Sequence, residues 1–325
     1  MPPEQLSSSH FRILVLHGGG IHGVAAAAYL ANIEAETGRP VRHYFDLIVG
    51  TSTGGIIALA LSRDIPAADV EAMYVDYGSM IFQRRWPIVP KKIAQLLRPL
   101  YSNQALTHHL KKTLGADTCL GDAKCRLCIP TINITTGRNE VLKTRHHSDF
   151  SHDHMLDMWR VGVATSAAPT YFPPVHLTSR GDYVDGGLWA NAPIAVGVAE
   201  AWRLNVPPSN VHILSVGTGS RPFNKPGMDR TPSVFGHGFL GWGTSLVDIV
   251  MRSQTQRARN LSNYLLPDDH LNHIDFPLPD NVGGLDAIED VQVLAEIARS
   301  VAKQTQQDVL DQFFEAPATS FDPIP

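Results

Sequence analysis

Residues 44–55, which read YFDLIVGTSTGG, join a short apolar segment to a glycine-rich turn. Residues 45–49 are mostly apolar and β-prone and predict a buried strand, and the residues that follow Gly55 have the composition of a helix. Between them Gly50, Ser52 and Gly54 form the pattern G-x-S-x-G, which is typical of a nucleophile elbow in this strand–turn–helix context. The serine oxygen then stands above a helix N-terminus whose dipole favours developing negative charge. We therefore expect Ser52 to be a nucleophile; a structural serine in a flexible turn is the alternative.

The segment before the elbow predicts a second turn of the same kind. Residues 11–17 form a near-continuous apolar run, as expected for a strand buried on both faces. A glycine-rich turn follows at residues 18–23, and a helix then extends from Val24 to about Gly38. A strand, a crossover helix and the elbow strand imply two parallel neighbours, so both turns should lie at one edge of the sheet.

The rest of the chain alternates between predicted helices and strands, which favours an α/β fold with three α/β/α layers and a mainly parallel sheet. Domain bounds are expected as an arm at residues 1–10, one catalytic domain at 11–315 and a tail at 316–325. Residues 221–243 are rich in glycine, proline and aromatic residues, and we interpret them as a long mobile segment. Further elements are expected as helices at 66–76, 103–114, 152–165, 244–264 and 290–313, and as strands at 127–135, 140–144, 183–185 and 211–216.

Composition excludes several classes of protein. The chain has 325 residues, 43% hydrophobic and 18% charged, which is enough to bury a large core. A net charge of -4 gives no general attraction to nucleic acid, so no DNA or RNA partner is expected. The N-terminal residues lack the pattern of a signal peptide, and no apolar run approaches ~18 residues, so the sequence predicts a cytoplasmic protein without a membrane span.

The three cysteines do not predict a metal site. Cys125 and Cys128 form a C-x-x-C pair, but no second pair follows, and Cys119 leaves an odd number. Zinc held by the three thiolates with His108 or His109 is the alternative. We expect ordinary reduced thiols and no metal.

Two common sites could use the first glycine turn. Gly18, Gly20 and Gly23 match the dinucleotide fingerprint G-x-G-x-x-G, but the second strand ends at Ser52 instead of the acidic residue that binds ribose, and Asp46 lies at its wrong end. The HGGG run from His17 is also similar to the oxyanion loop of α/β-hydrolases. A Ser-His-Asp triad would then need a histidine late in the chain. The available histidines are His212, His237, His270 and His273.

A third interpretation uses three turns together. The N–H groups at residues 18–20 can point at the oxyanion that forms when Ser52 attacks a carbonyl group. Asp185 ends a short predicted strand immediately before Gly186 and Gly187, and it is the candidate base. A simple type I′ turn is the alternative interpretation of that D-G-G sequence.

In this order the motifs resemble those of patatin-like phospholipases. That family carries a G-G-G-x-(Arg/Lys)-G loop, a G-x-S-x-G motif one βα unit later and a D-G-(Gly/Ala) motif over a hundred residues downstream. Residues 18–23, 50–54 and 185–187 match these motifs, and residues 166–173, SAAPTYFP, are similar to the family's S-A-A-P-x-x-F-P segment. The resemblance covers residues 11–220. His22 stands where the family has arginine or lysine, so a positive charge at this loop is expected only when His22 is protonated.

The resemblance implies a Ser–Asp dyad that needs no cofactor for catalysis. Ser52 would attack an acyl ester of a membrane glycerophospholipid, and Asp185 would accept the serine proton. Gly18, Gly19 and Gly20 would form the oxyanion hole, with Gly19 and Gly20 as the preferred N–H donors. A carboxylate with an ordinary pKa of ~4 is a poor base for serine, so Asp185 is expected to be desolvated.

Within the family, residues 159–169 resemble bacterial phospholipase effectors of CBASS antiphage systems. Those enzymes are switched on by a cyclic di- or trinucleotide and degrade the cell's own membrane. The resemblance implies action at the inner face of the membrane, and assembly into a homo-oligomer on activation is a further expectation. A constitutive lipid acyl hydrolase is the alternative. Candidate contacts for a nucleotide phosphate are Lys143, Arg145, His146 and His147, for which a solvated strand end is the simpler interpretation.

Residues 79–101 contain basic and apolar side chains but no acidic ones. Such a segment can dock on an anionic lipid surface, with each basic residue contributing ~1 kcal/mol near the surface. Packing on the core with the charges in solvent is the alternative. The basic residues are Arg84, Arg85, Lys91, Lys92 and Arg98.

Overall fold

The computed structural model describes residues 10–85, 98–220 and 245–324. Within them an eight-stranded mixed sheet has the order β5-β6-β3-β2-β1-β7-β8, with β4 paired to β3. Parallel pairing joins β3, β2, β1, β7 and β8, whereas β4, β5 and β6 pair antiparallel. The strands are β1 (Phe11–Leu16), β2 (Leu47–Gly50), β3 (Arg126–Asn133), β4 (Arg138–Lys143), β5 (Val175–Leu177), β6 (Gly181–Asp185), β7 (Val211–Val216) and β8 (Leu271–Ile274).

Helices cover both faces of this sheet. They are α1 (Gly23–Thr37), α2 (Thr53–Leu61), α3 (Ala67–Ile81), α4 (Asn103–Leu114), α5 (Met158–Thr165), α6 (Gly187–Ala190), α7 (Ile194–Arg203), α8 (Ser245–Leu265) and α9 (Val291–Phe313).

The central strand β1 shows how the sequence produces three layers. Side chains alternate across a strand, and Ile13 and Val15 pack with α7 while Leu14 and Leu16 pack with α1, α2 and α9 on the opposite face. All four side chains are completely buried. Burial of each contributes ~2 kcal/mol relative to exposure. The apolar run that was predicted to be buried on both faces is therefore confirmed, as is the three-layer α/β/α class.

Strands β2 and β6 approach each other end to end along one edge of β3. The strand β2 pairs in parallel with residues 126–128, and β6 pairs antiparallel with residues 131–133. Because β4 occupies the other edge of β3 over residues 128–133, β2 and β6 must share the remaining edge. Their carboxyl ends meet there, and this places the turn after β2 next to Asp185 at the end of β6.

Most predicted elements are confirmed, with two kinds of difference. The helix expected at residues 152–165 begins only at Met158, because Asp157 is its N-cap and the residues before it form a 3-10 turn and an extended link. The short strands β5 and β8 and the helices α6 and α7 were not predicted. Residues 1–9 of the predicted arm, the predicted mobile segment at residues 221–243, and Lys91 and Lys92 of the predicted lipid-docking segment lie outside the described residues. Within the described ranges, no helix has both the length and the apolar composition needed to cross a membrane.

Candidate active site

The elbow after β2 adopts the tight geometry that its glycines predict. Ser52 has φ 57° and ψ -124°, a left-handed conformation that is unusual for a residue with a side chain. A Cβ atom at Gly50 would lie 2.2 Å from the carbonyl oxygen of Gly54, and one at Gly54 would lie 2.3 Å from that of Leu16. Only glycine fits at these two positions, so the motif is required by the close approach of β1, β2 and α2.

Ser52 and Asp185 are in direct contact. The Ser52 hydroxyl donates a hydrogen bond to Oδ2 of Asp185 at 2.7 Å, and the Gly187 N–H donates to Oδ1 at 2.6 Å. Gly186 has φ -68° and leads directly into α6, so the alternative of a type I′ turn, which needs positive φ, is wrong here. A Cβ atom at Gly186 would lie 2.3 Å from the Pro130 carbonyl oxygen, which explains the glycine after the aspartate.

The environment of Asp185 makes it a stronger base than an exposed aspartate. Its side chain is only 3% exposed. Burial raises the pKa of Asp185 to about 6, and the hydrogen bonds from Ser52 and Gly187 limit the rise. A base is most effective when its pKa is close to the working pH, so this carboxylate is suited to accept the serine proton near neutrality.

The glycine turn after β1 lies beside Ser52 and is held from two sides. The Gly18 N–H donates to the carbonyl oxygen of Asn191 at 2.9 Å, and the Gly18 carbonyl accepts from Thr218 Oγ1 at 2.9 Å. The Gly18 N–H is thus already bonded, which corrects its place among the oxyanion donors. Among the described residues, no acceptor is bonded to the N–H groups of Gly19 and Gly20.

Thr165 is a member of the site that the sequence analysis did not single out. Its hydroxyl donates to the Pro130 carbonyl oxygen at 2.7 Å and accepts from the Ser52 N–H at 3.0 Å. It therefore fixes the backbone of Ser52 from the end of α5, and the Ser52 N–H is already bonded. The only signal in the sequence was its position immediately before the 166–173 segment.

An apolar cavity lies directly beside Ser52 and Asp185. Ser52 and Asp185 form part of its wall, and the rest is almost entirely hydrocarbon. Its hydrocarbon lining is suited to bind an acyl chain beside Ser52. Its apolar lining includes Ile56, Met73, Ile81, Phe82, Leu106 and Phe172.

The histidines that the triad alternative requires lie elsewhere. His212 stacks on His270 with 4.0 Å between ring centroids, and His273 bonds to Ser215. Both carboxylate oxygens of Asp185 are accounted for by Ser52 and Gly187, so among the described residues no imidazole stands between the acid and the serine. His237 lies outside the described residues.

Two of the four candidate phosphate contacts belong to a buried cluster around Glu200. Glu200 accepts a short hydrogen bond from Lys143 and bonds to His146 Nε2 at 3.0 Å. Because their polar groups are engaged with Glu200 inside the fold, the prediction that Lys143 and His146 contact a phosphate is wrong. Cys128 joins them, and the donor atoms of Cys128, His146 and Glu200 lie within 4.8 Å of one another, close enough to bind a metal ion.

The zinc ligand set that was considered as an alternative differs from that cluster. In the described part of the chain, the residues brought together as potential metal ligands do not include Cys119, Cys125 or His109. Burial raises the pKa of the Cys125 thiol to about 12, which disfavours the thiolate that zinc requires.

Several known proteins are similar to this chain over most of its length. A model of the family "Patatin-like phospholipase" matches residues 14–198. A cGAMP-activated phospholipase of Pseudomonas aeruginosa is 32% identical over 316 residues, covering 94% of this chain and 92% of that protein. One of Escherichia coli is 33% identical over 336 residues, covering 95% and 94%. The solved structure of VipD from Legionella pneumophila aligns with 93% of this chain and 67% of its own at 13% identity and a TM-score of 0.44. Since the family model matches more than half of the sequence, the chain belongs to the patatin-like phospholipase family.

Proposed function

We propose that this phospholipase cleaves fatty-acyl esters of membrane glycerophospholipids with Ser52 and Asp185 as its catalytic dyad. The observation that carries the proposal is the 2.7 Å hydrogen bond from the Ser52 hydroxyl to the buried Asp185 carboxylate, at the wall of an apolar cavity. A nucleophile, its base and a chain-binding cavity thus occupy one place, as acyl transfer requires.

In the first half of the reaction, Ser52 Oγ attacks the ester carbonyl carbon while its proton passes to Asp185 Oδ2. The carbonyl oxygen becomes an oxyanion that the N–H groups of Gly19 and Gly20 stabilise, with help from the N-terminus of α2. The bond to the glycerol oxygen then breaks. That oxygen takes the proton from Asp185 and leaves as lysophospholipid, with the acyl group on Ser52.

In the second half, water attacks the acyl-enzyme and Asp185 accepts a proton from that water. The tetrahedral intermediate uses the same glycine N–H groups. When it collapses, the Asp185 proton returns to Ser52 Oγ and the fatty acid is released. Each proton that Asp185 takes up is passed on within the same half, so the enzyme is regenerated.

Regulation by a cyclic nucleotide is part of the proposal. Two relatives that share about a third of their residues with this chain over nearly its whole length are named cGAMP-activated phospholipases. We propose that cGAMP likewise shifts this protein from a weakly active to an active state, in the manner of a ligand that binds one conformation better. The active state would degrade phospholipid at the inner face of the cell membrane, as an antiviral CBASS effector does, and its activation would involve assembly into a homo-oligomer.

The direct test measures fatty-acid release from vesicles of phosphatidylethanolamine and phosphatidylglycerol, with and without cGAMP. We expect release that increases strongly with cGAMP and is absent in Ser52→Ala and in Asp185→Asn. Size-exclusion chromatography with light scattering on the same samples tests the oligomer.

Two outcomes separate the parts of the proposal. Full release that is unchanged by cGAMP and by other cyclic dinucleotides would reject nucleotide control and leave a constitutive phospholipase. Release that survives Ser52→Ala in a folded protein would reject the dyad itself.

A further inference from the structure

A second cavity lies on the other side of the glycine turn, and it is polar. It has a volume of about 410 Å³. Its walls come from the turn after β1, one face of α8 and the segments that follow β7 and β8. The polar or charged side chains include His17, Thr218, Arg252, Gln256, Arg259 and Asp275.

The polar cavity and the apolar cavity are adjacent. Tyr171, Met251 and Leu285 line both of them. The glycine turn separates them, since Gly20 faces the apolar cavity and Gly19 faces the polar one. An ester carbonyl held at this turn therefore has hydrocarbon on one side and a polar space on the other.

Among the described residues that line the polar cavity, positive charges outnumber negative ones. The charged residues are Arg252, Arg259 and Asp275. Asp275 Oδ1 is occupied by the Gly219 N–H at 2.9 Å. In the described residues, neither an ion pair nor a hydrogen bond joins Arg259 to another residue, so its five N–H donors are available to a ligand.

The buried wall beneath the arginine is made of neutral imidazoles. Ser215 Oγ bonds to His17 Nε2 at 2.7 Å and to His273 Nδ1 at 3.1 Å, and the two rings stack. Burial lowers the pKa of both histidines below its usual value, and the positive charge of Arg259 lowers both further. The two rings thus lie close enough to Arg259 to be affected by its positive charge, which a bound anion would offset.

We propose that this cavity is a subsite for the phosphodiester of the substrate's head group, with Arg259 as its principal ligand. The inference rests on the proposed function. In a glycerophospholipid the phosphodiester and the acyl esters are attached to one glycerol. With an acyl chain in the apolar cavity and its carbonyl at Ser52, the phosphate is directed to the polar side of the glycine turn. An arginine fork matches two phosphate oxygens with two charge-assisted hydrogen bonds.

The test compares two substrates that differ only in the phosphodiester head group. Dioleoyl phosphatidylglycerol and dioleoylglycerol are presented at low mole fraction in the same nonionic micelles with cGAMP present. The measured quantity is the ratio of their kcat/KM values. We expect Arg259→Gln to lower this ratio about tenfold or more, the size expected for loss of a charge-assisted hydrogen bond. Arg259→Lys keeps the charge without the fork and should give an intermediate ratio.

The matched control is Arg257→Gln. Arg257 lies two residues away on α8, is exposed and does not line the cavity, so its loss changes the surface charge by the same amount. It should leave the ratio within twofold of the wild type. Rates are normalised to the fraction of Ser52 that a fluorophosphonate labels, which removes the effect of any misfolded protein.

The outcomes are distinct. If the wild type hydrolyses both lipids but Arg259→Gln and Arg257→Gln give the same ratio, the subsite is rejected while the phospholipase stands. If Arg259→Gln weakens cGAMP binding in calorimetry and leaves the ratio unchanged, the phosphodiester in the cavity belongs to the nucleotide and the head-group assignment is overturned. Failure of the proposed function itself would appear as no hydrolysis of either lipid by the wild type.

Discussion

The raised pKa of Asp185 predicts how hydrolysis depends on pH. Only the carboxylate form can accept the Ser52 proton, and burial raises the pKa of Asp185 to about 6. Thus kcat/KM for a short, soluble ester should rise with pH through about 6 and then reach a plateau. One unit below that pKa, about a tenth of the plateau rate should remain. A soluble ester avoids the changes in vesicle charge that would accompany a pH series with lipid.

The same pKa predicts the opposite trend for stability. An unfolded aspartate has a pKa of 3.8, so between that value and about 6 the native protein holds a proton that the unfolded chain has lost. The free energy of unfolding therefore falls as pH rises through this window. At 1.36 kcal/mol per unit, the ionised Asp185 costs the native state ~3 kcal/mol above pH ~6.

The variant Asp185→Asn removes this cost together with the activity. At pH ~8 its free energy of unfolding should exceed that of the wild type by up to ~3 kcal/mol, and near pH ~4 the two should converge. Urea denaturation at several pH values measures the difference. The control is Asp182→Asn on the same strand, where the side chain is 52% exposed and no such gain is expected. A value of kcat/KM that stays constant down to pH ~4.5 would refute the reasoning. So would an Asp185→Asn variant whose free energy of unfolding exceeds that of the wild type by no more at pH ~8 than at pH ~4.

Three further predictions concern the elbow and the membrane. Thr165→Val loses the hydrogen bonds to the Ser52 N–H and the Pro130 carbonyl, so kcat for a soluble ester should fall ~10-fold or more. Thr165→Ser keeps the hydroxyl and should retain most of the wild-type kcat. Equal kcat values for the two variants would contradict the positioning role. Gly54→Ala places a Cβ atom 2.3 Å from a backbone oxygen of β1 and should lower the free energy of unfolding by ~3 kcal/mol in urea titrations, and an unchanged midpoint would contradict it. The sequence of residues 79–101 also predicts that replacing four of its basic residues with Gln weakens sedimentation with anionic vesicles and leaves the turnover of a soluble ester unchanged. An equal loss in both measurements would indicate a role in folding. These residues are Arg84, Arg85, Lys91 and Lys92.

The elbow could be predicted because its constraints are local. A strand, two glycines around Ser52 and a helix are all encoded within residues 44–61, and the close backbone approaches at Gly50 and Gly54 confirm why glycine is needed there. The candidate base was found through its own motif and its order in the chain. Its distance from Ser52 could not be predicted, because it depends on β2 and β6 pairing end to end along β3.

Features that arise from tertiary packing left little signal in the sequence. Thr165 has the composition of any helix residue, and its role follows only from the meeting of α5, β3 and the elbow. Lys143 and His146 had the pattern of a solvated basic cluster, yet Glu200, over fifty residues away, holds both inside the fold. The strands β5 and β8 are three and four residues long, too short for the period of two to stand out.

The two costs in this site fall on the residues that we propose react. The left-handed conformation of Ser52 costs ~1 kcal/mol or more, and the burial of the ionised Asp185 carboxylate adds a second unfavourable free energy. Ser52 does not relax to another conformation, because hydrogen bonds hold the elbow at Thr51 and at Ser52. Thr51 Oγ1 donates to the Ala190 carbonyl at 2.7 Å, and the Ser52 N–H donates to Thr165. Since Ala190 belongs to α6, which begins two residues after Asp185, the same contacts that hold the serine in its strained turn also fix the base 2.7 Å away. A change that loosens α6 should therefore slow hydrolysis even when it touches neither reacting group, because strain and proximity are maintained by one set of contacts.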